Sequence, residues 1–429
     1  MRRGLLASCL LILATAAGIA GTGSSVTQAS AAAGLWSKAA SLIMGREEHT
    51  ATLLRNGNVL IAGGTDGRGK ALASAEVYNP GNNRWTSAGS MASARLDHTA
   101  TLLPSGKVLV AGGLVGPVPS GSLASAEVYD PTTNSWSGAA PMIGSRARQT
   151  ATLLPGGRVL VVGGISLGPR EGGLIPSQPT DAEIYDPKAN RWSATAPMGF
   201  YRLDQTASLL TDGRVLIAGG QDGLTSTEVY DATQRRWVNA ASMGMGRWGH
   251  TATLLPNGNL LVAGGLGEEP NNLSIALASV EIYDPRVNRW SPLASMAEAH
   301  AGQTATLLPN GMVLVVGTTG QSRPELYDPA RNRWSRTGPT MDRYHHTATR
   351  LLDGKVLIVG GYGLESLDSV LVYDLNGLPM PRQSFDPRLI AAFLLPALLL
   401  VAGIALSFPA VRRRLKRWRP HRQPEDWIT

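Results

Sequence analysis

The sequence predicts an all-β fold: a seven-bladed β-propeller closed by an N-terminal strand, followed by one C-terminal transmembrane helix. Three observations lead to this prediction. A 16-residue unit, written HTATLLPNGNLLVAGG at residues 250–265, occurs seven times. The copies end 43 to 56 residues apart, and a period near 50 residues is typical of propeller blades. Residues 389–408 form an apolar stretch without a charge.

Each copy predicts one four-stranded blade. The H/Q-T-A-T-L-L segment is a strand, P-N-G or P-S-G is a tight turn, and V-L-I-A is a second strand. A loop of variable length leads to a third strand of the E-V-Y-D type, and D-P-x-x-N forms the turn into a fourth. Four antiparallel strands make one blade. The copies end at Gly64, Gly113, Gly164, Gly220, Gly265, Thr318 and Gly361.

A tryptophan follows the third strand in six of the seven copies, and these residues are Trp85, Trp136, Trp192, Trp237, Trp290 and Trp334. The seventh copy has none after Tyr373, whereas Trp36 stands before the first copy. We therefore expect the Trp36 region to form the fourth strand of blade seven. The two ends of the repeat region then pair, which leaves no free strand edge in the ring.

The glycine pair, the Tyr-Asp and the spaced tryptophan resemble kelch repeats from about residue 36 to residue 374, of the galactose oxidase-like type, in a bacterial secreted or membrane-anchored protein. The copper radical enzymes of that kind place a Tyr-His pair before one such strand. Here Tyr344 lies one place early, and His345 occupies the tyrosine position. Their cofactor also needs a tyrosine crosslinked to a cysteine. The only cysteine is Cys9, so we expect no such cofactor and no metal.

The chain ends predict export and anchoring. Residues 1–31 read as a secretory signal peptide with an A-x-A-like cleavage site, the alternative being an uncleaved N-terminal anchor. The propeller is expected at 32–374, and a linker with three prolines at 375–388. Residues 389–408 are long enough for a single transmembrane helix. The basic tail at 409–429 predicts a cytoplasmic C-terminus, with the propeller outside the cell membrane.

The charges concentrate at the ends. The formal net charge is +8, but Arg2, Arg3 and the basic tail carry nearly all of it. The exported body is therefore nearly neutral, and we expect no nucleic-acid partner.

Strand direction predicts which face is used. The segment before each first strand and the loop between strands two and three share one face, because consecutive strands alternate in direction. The loops on that face vary in length, and variable loops on a rigid scaffold often carry function. The short turns lie on the other face, which is expected to look toward the membrane.

The register R-x-x-H/Q precedes each first strand, with His300 in place of the arginine in the sixth copy. Repetition predicts structural roles: the arginines pair with acids of the third strand, and the His/Gln residues make neutral hydrogen bonds. The two positions between them vary. They supply the candidate ligand-binding residues Glu48, Asp97, Arg148, Asp204, Trp248, Tyr344 and His345.

Acids beside aromatic side chains suit a sugar or a peptide, and the alternative is a solvated loop rim without a ligand. We expect a monomeric binding module for a protein or glycan ligand, with no catalytic residue. The alternative function is an extracellular carbohydrate-active enzyme, either galactose oxidase-like or a hydrolase built from Glu48, Asp97 and Asp204.

Overall fold

The computed structural model describes residues 34–375, except 117–120, 171–172, 178–180, 222, 269–272 and 365. The predicted signal peptide, the linker beyond residue 375, the membrane span and the basic tail lie outside the described residues. Within the described part of the chain, no helix is long and apolar enough to span a membrane.

Seven four-stranded antiparallel sheets form a seven-bladed β-propeller, so the all-β prediction is confirmed. Blade 1 consists of β2 (Thr50–Leu53), β3 (Val59–Ala62), β4 (Ser74–Asn79) and β5 (Arg84–Ser90). Blade 2 consists of β6 (Thr99–Leu102), β7 (Val108–Ala111), β8 (Ala126–Asp130) and β9 (Ser135–Ala139). Blade 3 consists of β10 (Thr150–Leu153), β11 (Val159–Val162), β14 (Ala182–Asp186) and β15 (Arg191–Thr195). Blade 4 consists of β16 (Thr206–Leu209), β17 (Val215–Ala218), β18 (Thr227–Asp231) and β19 (Arg236–Ala240).

The other three blades follow the same order from the inner to the outer strand. Blade 5 consists of β20 (Thr251–Leu254), β21 (Leu260–Ala263), β24 (Val280–Asp284) and β25 (Arg289–Pro292). Blade 6 consists of β26 (Thr304–Leu307), β27 (Val313–Val316), β29 (Glu325–Asp328) and β30 (Arg333–Arg336). Blade 7 consists of β32 (Thr347–Arg350), β33 (Val356–Val359), β34 (Val370–Asp374) and β1 (Leu35–Lys38).

Three two-stranded ribbons, which the repeat pattern did not predict, extend from the loops. They are β12 (Ser166–Arg170) with β13 (Gly173–Ser177), β22 (Leu266–Glu268) with β23 (Ser274–Ala276), and β28 (Thr318–Ser322) with β31 (Met341–Arg343). The third ribbon begins at the position where Thr318 replaces the second glycine of the pair.

Blade 7 combines strands from both ends of the described chain. Strand β1 pairs antiparallel with β34, and Trp36 lies opposite Tyr373. The two rings are 4.9 Å apart, as are the rings of most Tyr–Trp pairs in the other blades. In blades 1 to 6 the tryptophan Nε1 also donates to a carbonyl of the preceding blade. Trp36 Nε1 has no hydrogen-bond partner among the described residues.

Apolar side chains fill the spaces between neighbouring blades. The cluster between blades 1 and 2 contains Leu60 and Ala62 from one blade and Val108 and Val110 from the next, with Trp136 packed against it. Each second strand is fully buried, so its side chains contribute alternately to the two sides of its sheet. The hydrophobic core is therefore a ring of interfaces, and no blade can bury its own apolar surface alone.

The His/Gln register links the inner strands of adjacent blades. His98 Nε2 lies 3.0 Å from Thr50 Oγ1 of the preceding blade, and Gln149 Nε2 donates to the Ala111 carbonyl at 2.9 Å. Equivalent bonds connect the remaining blades, including His49 of blade 1 with Thr347 of blade 7. Burial lowers the pKa of His98 to about 3, so this histidine is neutral. The predicted structural role of this register is confirmed.

The arginine register forms a buried clamp in each of five blades. In blade 2, Arg95 Nη2 donates to Glu127 Oε1 at 2.7 Å, while Nη1 donates to the carbonyls of Gly112 and Ser125. Glu127 also accepts from two backbone N–H groups just before Arg95. Arg95 is fully buried and Glu127 is 4% exposed. The clamp therefore joins the two ends of the variable loop, as the predicted pairing required.

Blades 6 and 7 depart from this pattern. In blade 6, His300 replaces the arginine and lies 3.1 Å from Glu325. In blade 7, Leu371 stands where the other blades have glutamate, and the Arg343 side chain bonds instead to Gly360 and Ser369. Burial lowers the pKa of Arg343 to about 10. For this arginine the predicted acidic partner was wrong, because the third strand of blade 7 carries no acid at that position.

The blade 2 clamp gives a testable prediction. Replacing Glu127 by leucine reproduces the blade 7 arrangement and leaves Arg95 buried without its carboxylate. We expect the free energy of unfolding to fall by about 3–5 kcal/mol, because an unpaired buried charge remains. Denaturant unfolding measures this. The control is Glu298→Gln, which removes an exposed pair with Arg336 and should cost less than about 1 kcal/mol. Equal losses in the two variants would contradict the prediction.

The buried histidines predict a loss of stability in acid. The pKa values of His49, His98 and His250 are about 3 in the folded chain, against 6.5 for an unperturbed histidine. Between these values only the unfolded chain binds the proton, so stability is lost as the pH falls below 6.5. Each histidine should contribute a slope of about 1.4 kcal/mol per pH unit.

The variant His98→Gln should remove one such contribution, because glutamine already occupies this register in three blades. Denaturant unfolding between about pH 6 and pH 4 measures the slope. The control His345→Gln should leave it unchanged. The pKa of His345 is raised to about 9, so that side chain is protonated in the folded chain throughout this range and mostly protonated in the unfolded chain as well. An unaltered slope in His98→Gln would contradict the assignment.

Candidate functional site

Seven residues that directly precede the His/Gln register form a ring around the propeller axis. We call them the channel-mouth ring: Glu48, Asp97, Arg148, Asp204, Gly249, Gly302 and His345. All seven have a positive φ, between 53° and 67°. Neighbours are linked through the backbone, since Asp97 N–H donates to the Glu48 carbonyl and Arg148 N–H donates to the Asp97 carbonyl. Equivalent positions in five blades therefore carry the side chains of Glu48, Asp97, Arg148, Asp204 and His345.

The two variable positions before each first strand make different contacts, because the second of them adopts a left-handed conformation. The first position pairs with the loop of its own blade, as between Glu47 and Thr65 or between Trp248 and Leu266. These bridges place the segment before each first strand and the strand 2–3 loop on the same face, as predicted. We call this the loop face. The second position has the positive φ, which non-glycine residues seldom adopt, and its N–H bonds instead to the ring residue of the neighbouring blade, as Gly249 does to Asp204.

The first position does not vary freely at the surface. Leu96, Ala147, Leu203 and Ala301 are all buried there, at most 4% exposed. The expectation that both positions form a variable rim is therefore wrong for the first position in these four blades, where the side chain packs beneath the loop. The second position provides the channel-mouth ring.

Arg148 connects two acids of the ring. Its Nε lies 3.0 Å from Asp97 Oδ2, and its Nη1 lies 3.5 Å from Asp204 Oδ2. Burial raises the pKa of both carboxyls, and the nearby Arg148 charge opposes this. The two carboxylates raise the pKa of Arg148 further, so the guanidinium stays charged.

His345 forms the second charged group of the ring. Its Nδ1 lies 3.2 Å from Glu48 Oε1 and 3.6 Å from Glu47 Oε2. Burial alone would lower the pKa of His345, but the hydrogen bonds to the two glutamates outweigh it and raise the pKa to about 9. This histidine is therefore a cation at neutral pH. Glu47 belongs to the site because it faces His345 from the neighbouring blade.

The aromatic candidates flank the ring. The Tyr344 ring lies 4.8 Å from the His345 ring and 5.5 Å from the Tyr362 ring. Trp248 is half-buried and precedes Gly249. Thus Glu48, Asp97, Arg148, Asp204 and His345 are brought together, whereas Trp248 and Tyr344 lie at the adjacent register.

The ring and the adjacent Glu47 together carry more negative than positive charge. When Glu47, Glu48, Asp97 and Asp204 are ionised, four negative charges face the two positive charges of Arg148 and His345. Gly249 and Gly302 leave the remaining part of the ring without side chains, and a Cβ added at Gly249 would meet no atom within 4 Å. The mouth therefore combines an excess of hydrogen-bond acceptors with an open sector. Within the described ranges, no group of three or more His, Cys, Asp or Glu side chains could hold a metal ion.

A separate cavity of about 1100 Å³ opens on the opposite face, between blades 2 and 3. Leu103, Leu153 and Leu154 contribute to its walls, with Lys107 and Arg158 at its polar side. None of the predicted site residues lines it.

Comparison with known proteins identifies the repeats. The kelch motif matches residues 50–92, 98–143, 205–244 and 247–297, which correspond to blades 1, 2, 4 and 5. The chain is 42% identical over 72 residues to an F-box/kelch-repeat protein of Arabidopsis thaliana, a match that covers 17% of this chain and 14% of that protein. The chain thus carries kelch motifs and folds as a seven-bladed propeller.

Among solved structures, the chain resembles a fungal alcohol oxidase of the AA5 family in complex with copper, with a TM-score of 0.64 and 20% identity. The likeness covers 80% of this chain and 76% of that chain. At this identity the likeness shows a shared fold alone. The galactose oxidase-like type, the bacterial origin and the secretion of this chain stay predictions.

The histidine–glutamate contact of the ring gives a testable prediction. The variant Glu48→Gln removes one negative charge beside His345. We expect the pKa of His345 to fall from about 9 by about 1 unit or more toward its ordinary value. Imidazole resonances followed by NMR against pH measure the change. The control Glu298→Gln, on a different loop, should leave the value unaltered. An unchanged His345 pKa in Glu48→Gln would exclude a charge pair between these two residues.

Proposed function

We propose that this kelch-motif propeller is a membrane-anchored interaction module that binds its partner at the channel-mouth ring, outside the cell. The observation that carries this proposal is the ring itself. Five side chains of four kinds (Glu, Asp, Arg and His) occupy one register, whereas the arginine register before it and the His/Gln register after it repeat in nearly every blade as structural clamps and links. Variation at accessible positions beside repeated structural registers is what a recognition site on a repeated scaffold requires.

The charges of the ring favour a partner rich in hydrogen-bond donors. Arg148 and His345 each already contact two carboxylates, so the remaining acceptor capacity lies on the oxygens of Glu47, Glu48, Asp97 and Asp204. A lysine or arginine side chain of a partner protein supplies donors and opposite charge together. We therefore favour a basic protein segment over a glycan, whose hydroxyl groups supply donors without charge.

The alternative of a carbohydrate-active enzyme receives less support from the ring. Asp97 and Asp204 would have to act as separate acid and base, yet both contact Arg148. Burial raises the pKa of both carboxyls and the Arg148 charge opposes this in both, so the two groups shift in the same direction, whereas acid–base catalysis needs two pKa values that lie apart.

The anchoring proposal rests on the sequence beyond Leu375. The apolar residues 389–408 follow the last blade after a linker of 14 residues, and the basic tail follows them directly. This order supports a single span with the propeller outside and the tail in the cytoplasm.

A triple variant tests the binding site. Asp97→Asn, Arg148→Gln and Asp204→Asn together remove three ring charges with side chains of similar size, and asparagine tolerates a positive φ. Parent and variant are screened against a positional-scanning peptide library and a glycan array. We expect the parent to select peptides with Lys or Arg, and the variant to lose at least about tenfold in affinity, as expected for buried charged contacts.

The control for this experiment is Arg68→Gln with Lys70→Gln, which changes two exposed cations of a blade 1 loop on the same face. It should bind as the parent does. Selection of glycans only would reject the protein partner, and equal binding by the parent and the ring variant would reject the ring as the site.

A further inference from the structure

The short turns on the face opposite the ring are strongly basic. We call this the turn face, and it comprises residues 55–58, 79–84, 104–107, 130–135, 155–158, 186–191, 211–214, 231–236, 256–259, 284–289, 309–312, 328–333 and 352–355. These turns contain 14 Lys and Arg residues but only seven Asp residues. They contain no glutamate. These turns therefore have a formal charge of +7, or +6 when Asp374, which ends the third strand of blade 7 on the same face, is included.

The rest of the propeller carries the opposite charge. Residues 34–375 contain 28 Lys and Arg and 28 Asp and Glu, so their net charge is zero. The excess on the turn face is matched by an equal negative excess elsewhere, much of it on the loop face. The neutral total therefore conceals two faces of opposite sign.

Many of these cations are exposed. Five arginines directly precede the outer tryptophans: Arg84, Arg191, Arg236, Arg289 and Arg333 are all exposed. Other cations pair with an aspartate of their own turn, as Arg286 does with Asp284 at 2.8 Å. Such exposed pairs are weak, so they leave the guanidinium available to a stronger anion.

The chain leaves the last blade on the turn face. Strand β34 runs toward the turn face, and Asp374 at its end lies 3.7 Å from Lys355 of a turn. The predicted membrane span begins 14 residues after Leu375. A fully extended linker of this length reaches at most about 50 Å, so in an anchored propeller the bilayer lies within that distance of the chain's exit on the turn face.

We propose that the turn face docks onto anionic lipid headgroups, so that the propeller rests on the membrane with its channel-mouth ring pointing away. This inference rests on the proposed anchoring and is independent of what the ring binds. Charge complementarity carries it, because clustered Lys and Arg beside a membrane anchor attract anionic lipids within a Debye length. The cavity between blades 2 and 3 adds a recess on this face, whose charged lining residues are Lys107, Arg158, Lys188 and Asp186.

The test uses the full chain reconstituted into nanodiscs of phosphatidylcholine, with or without about 30% phosphatidylglycerol, because anionic lipid should supply the attraction. Amide hydrogen exchange is followed in the turns at 186–191, 284–289 and 328–333. We expect exchange there to slow about fivefold on the anionic discs only, since docking shields exposed amides. Raising the salt to about 0.5 M should reverse the effect, because salt screens surface charge.

Two matched variants complete the design. Arg191→Gln with Arg289→Gln and Arg333→Gln removes three turn-face cations, and should abolish the slowing. Arg68→Gln with Lys70→Gln and Arg323→Gln removes three exposed loop-face cations, and should preserve it.

Each other outcome overturns the proposal in a distinct way. Equal exchange on both kinds of disc, or slowing that survives in the turn-face variant, excludes docking on anionic lipid. Slowing produced by a single-stranded RNA oligonucleotide, but not by anionic lipid, indicates a nucleic-acid partner instead. A chain that fails to insert into either disc refutes the anchoring as well, whereas peptide binding by the ring stays separately measurable.

Discussion

The buried arginine clamp is the interaction on which the arrangement of blades 1 to 5 depends. Arg95 reaches from the segment before the first strand to the two ends of the strand 2–3 loop, and Glu127 returns hydrogen bonds to the backbone just before Arg95. A buried charge is stabilised only by hydrogen bonds or an opposite charge, so the partners of Arg95 hold both ends of the loop in place. The loop beyond the clamp can change in length without moving its ends, which explains how ribbons such as β12–β13 are tolerated.

The clamps act within blades, whereas the His/Gln links act between them. His98 and its equivalents are neutral when they form these bonds. A charged side chain would therefore disrupt the links, whereas histidine and glutamine can replace each other. The apolar clusters between blades have the same neighbour-to-neighbour character. Every interface between neighbouring blades therefore contributes to stability. Together these interfaces fix the diameter of the channel-mouth ring.

Much of this fold could be predicted from the sequence because the repeats superimpose: the strands, the arginine partners and the role of the His/Gln register followed from comparing copies. The three ribbons could not be predicted, since loop pairing depends on contacts absent from the repeat. The burial of Leu96 and Ala147 and the participation of Glu47 depend on the positive φ at the next residue, which composition does not reveal. The opposite charges of the two faces cancel in the net charge of the propeller, so the net charge does not reveal them.

The positive φ of the channel-mouth ring has an evolutionary consequence. All seven positions have the same positive φ although two of them are glycines, so a side chain there is not needed to hold the conformation. Gly249 and Gly302 occupy the same geometry as Arg148 and His345. Each position can therefore gain or lose a charge by one substitution while the blade stays intact, within the limits that exclude β-branched residues. A duplicated gene of this design could acquire a new partner without first acquiring a new fold.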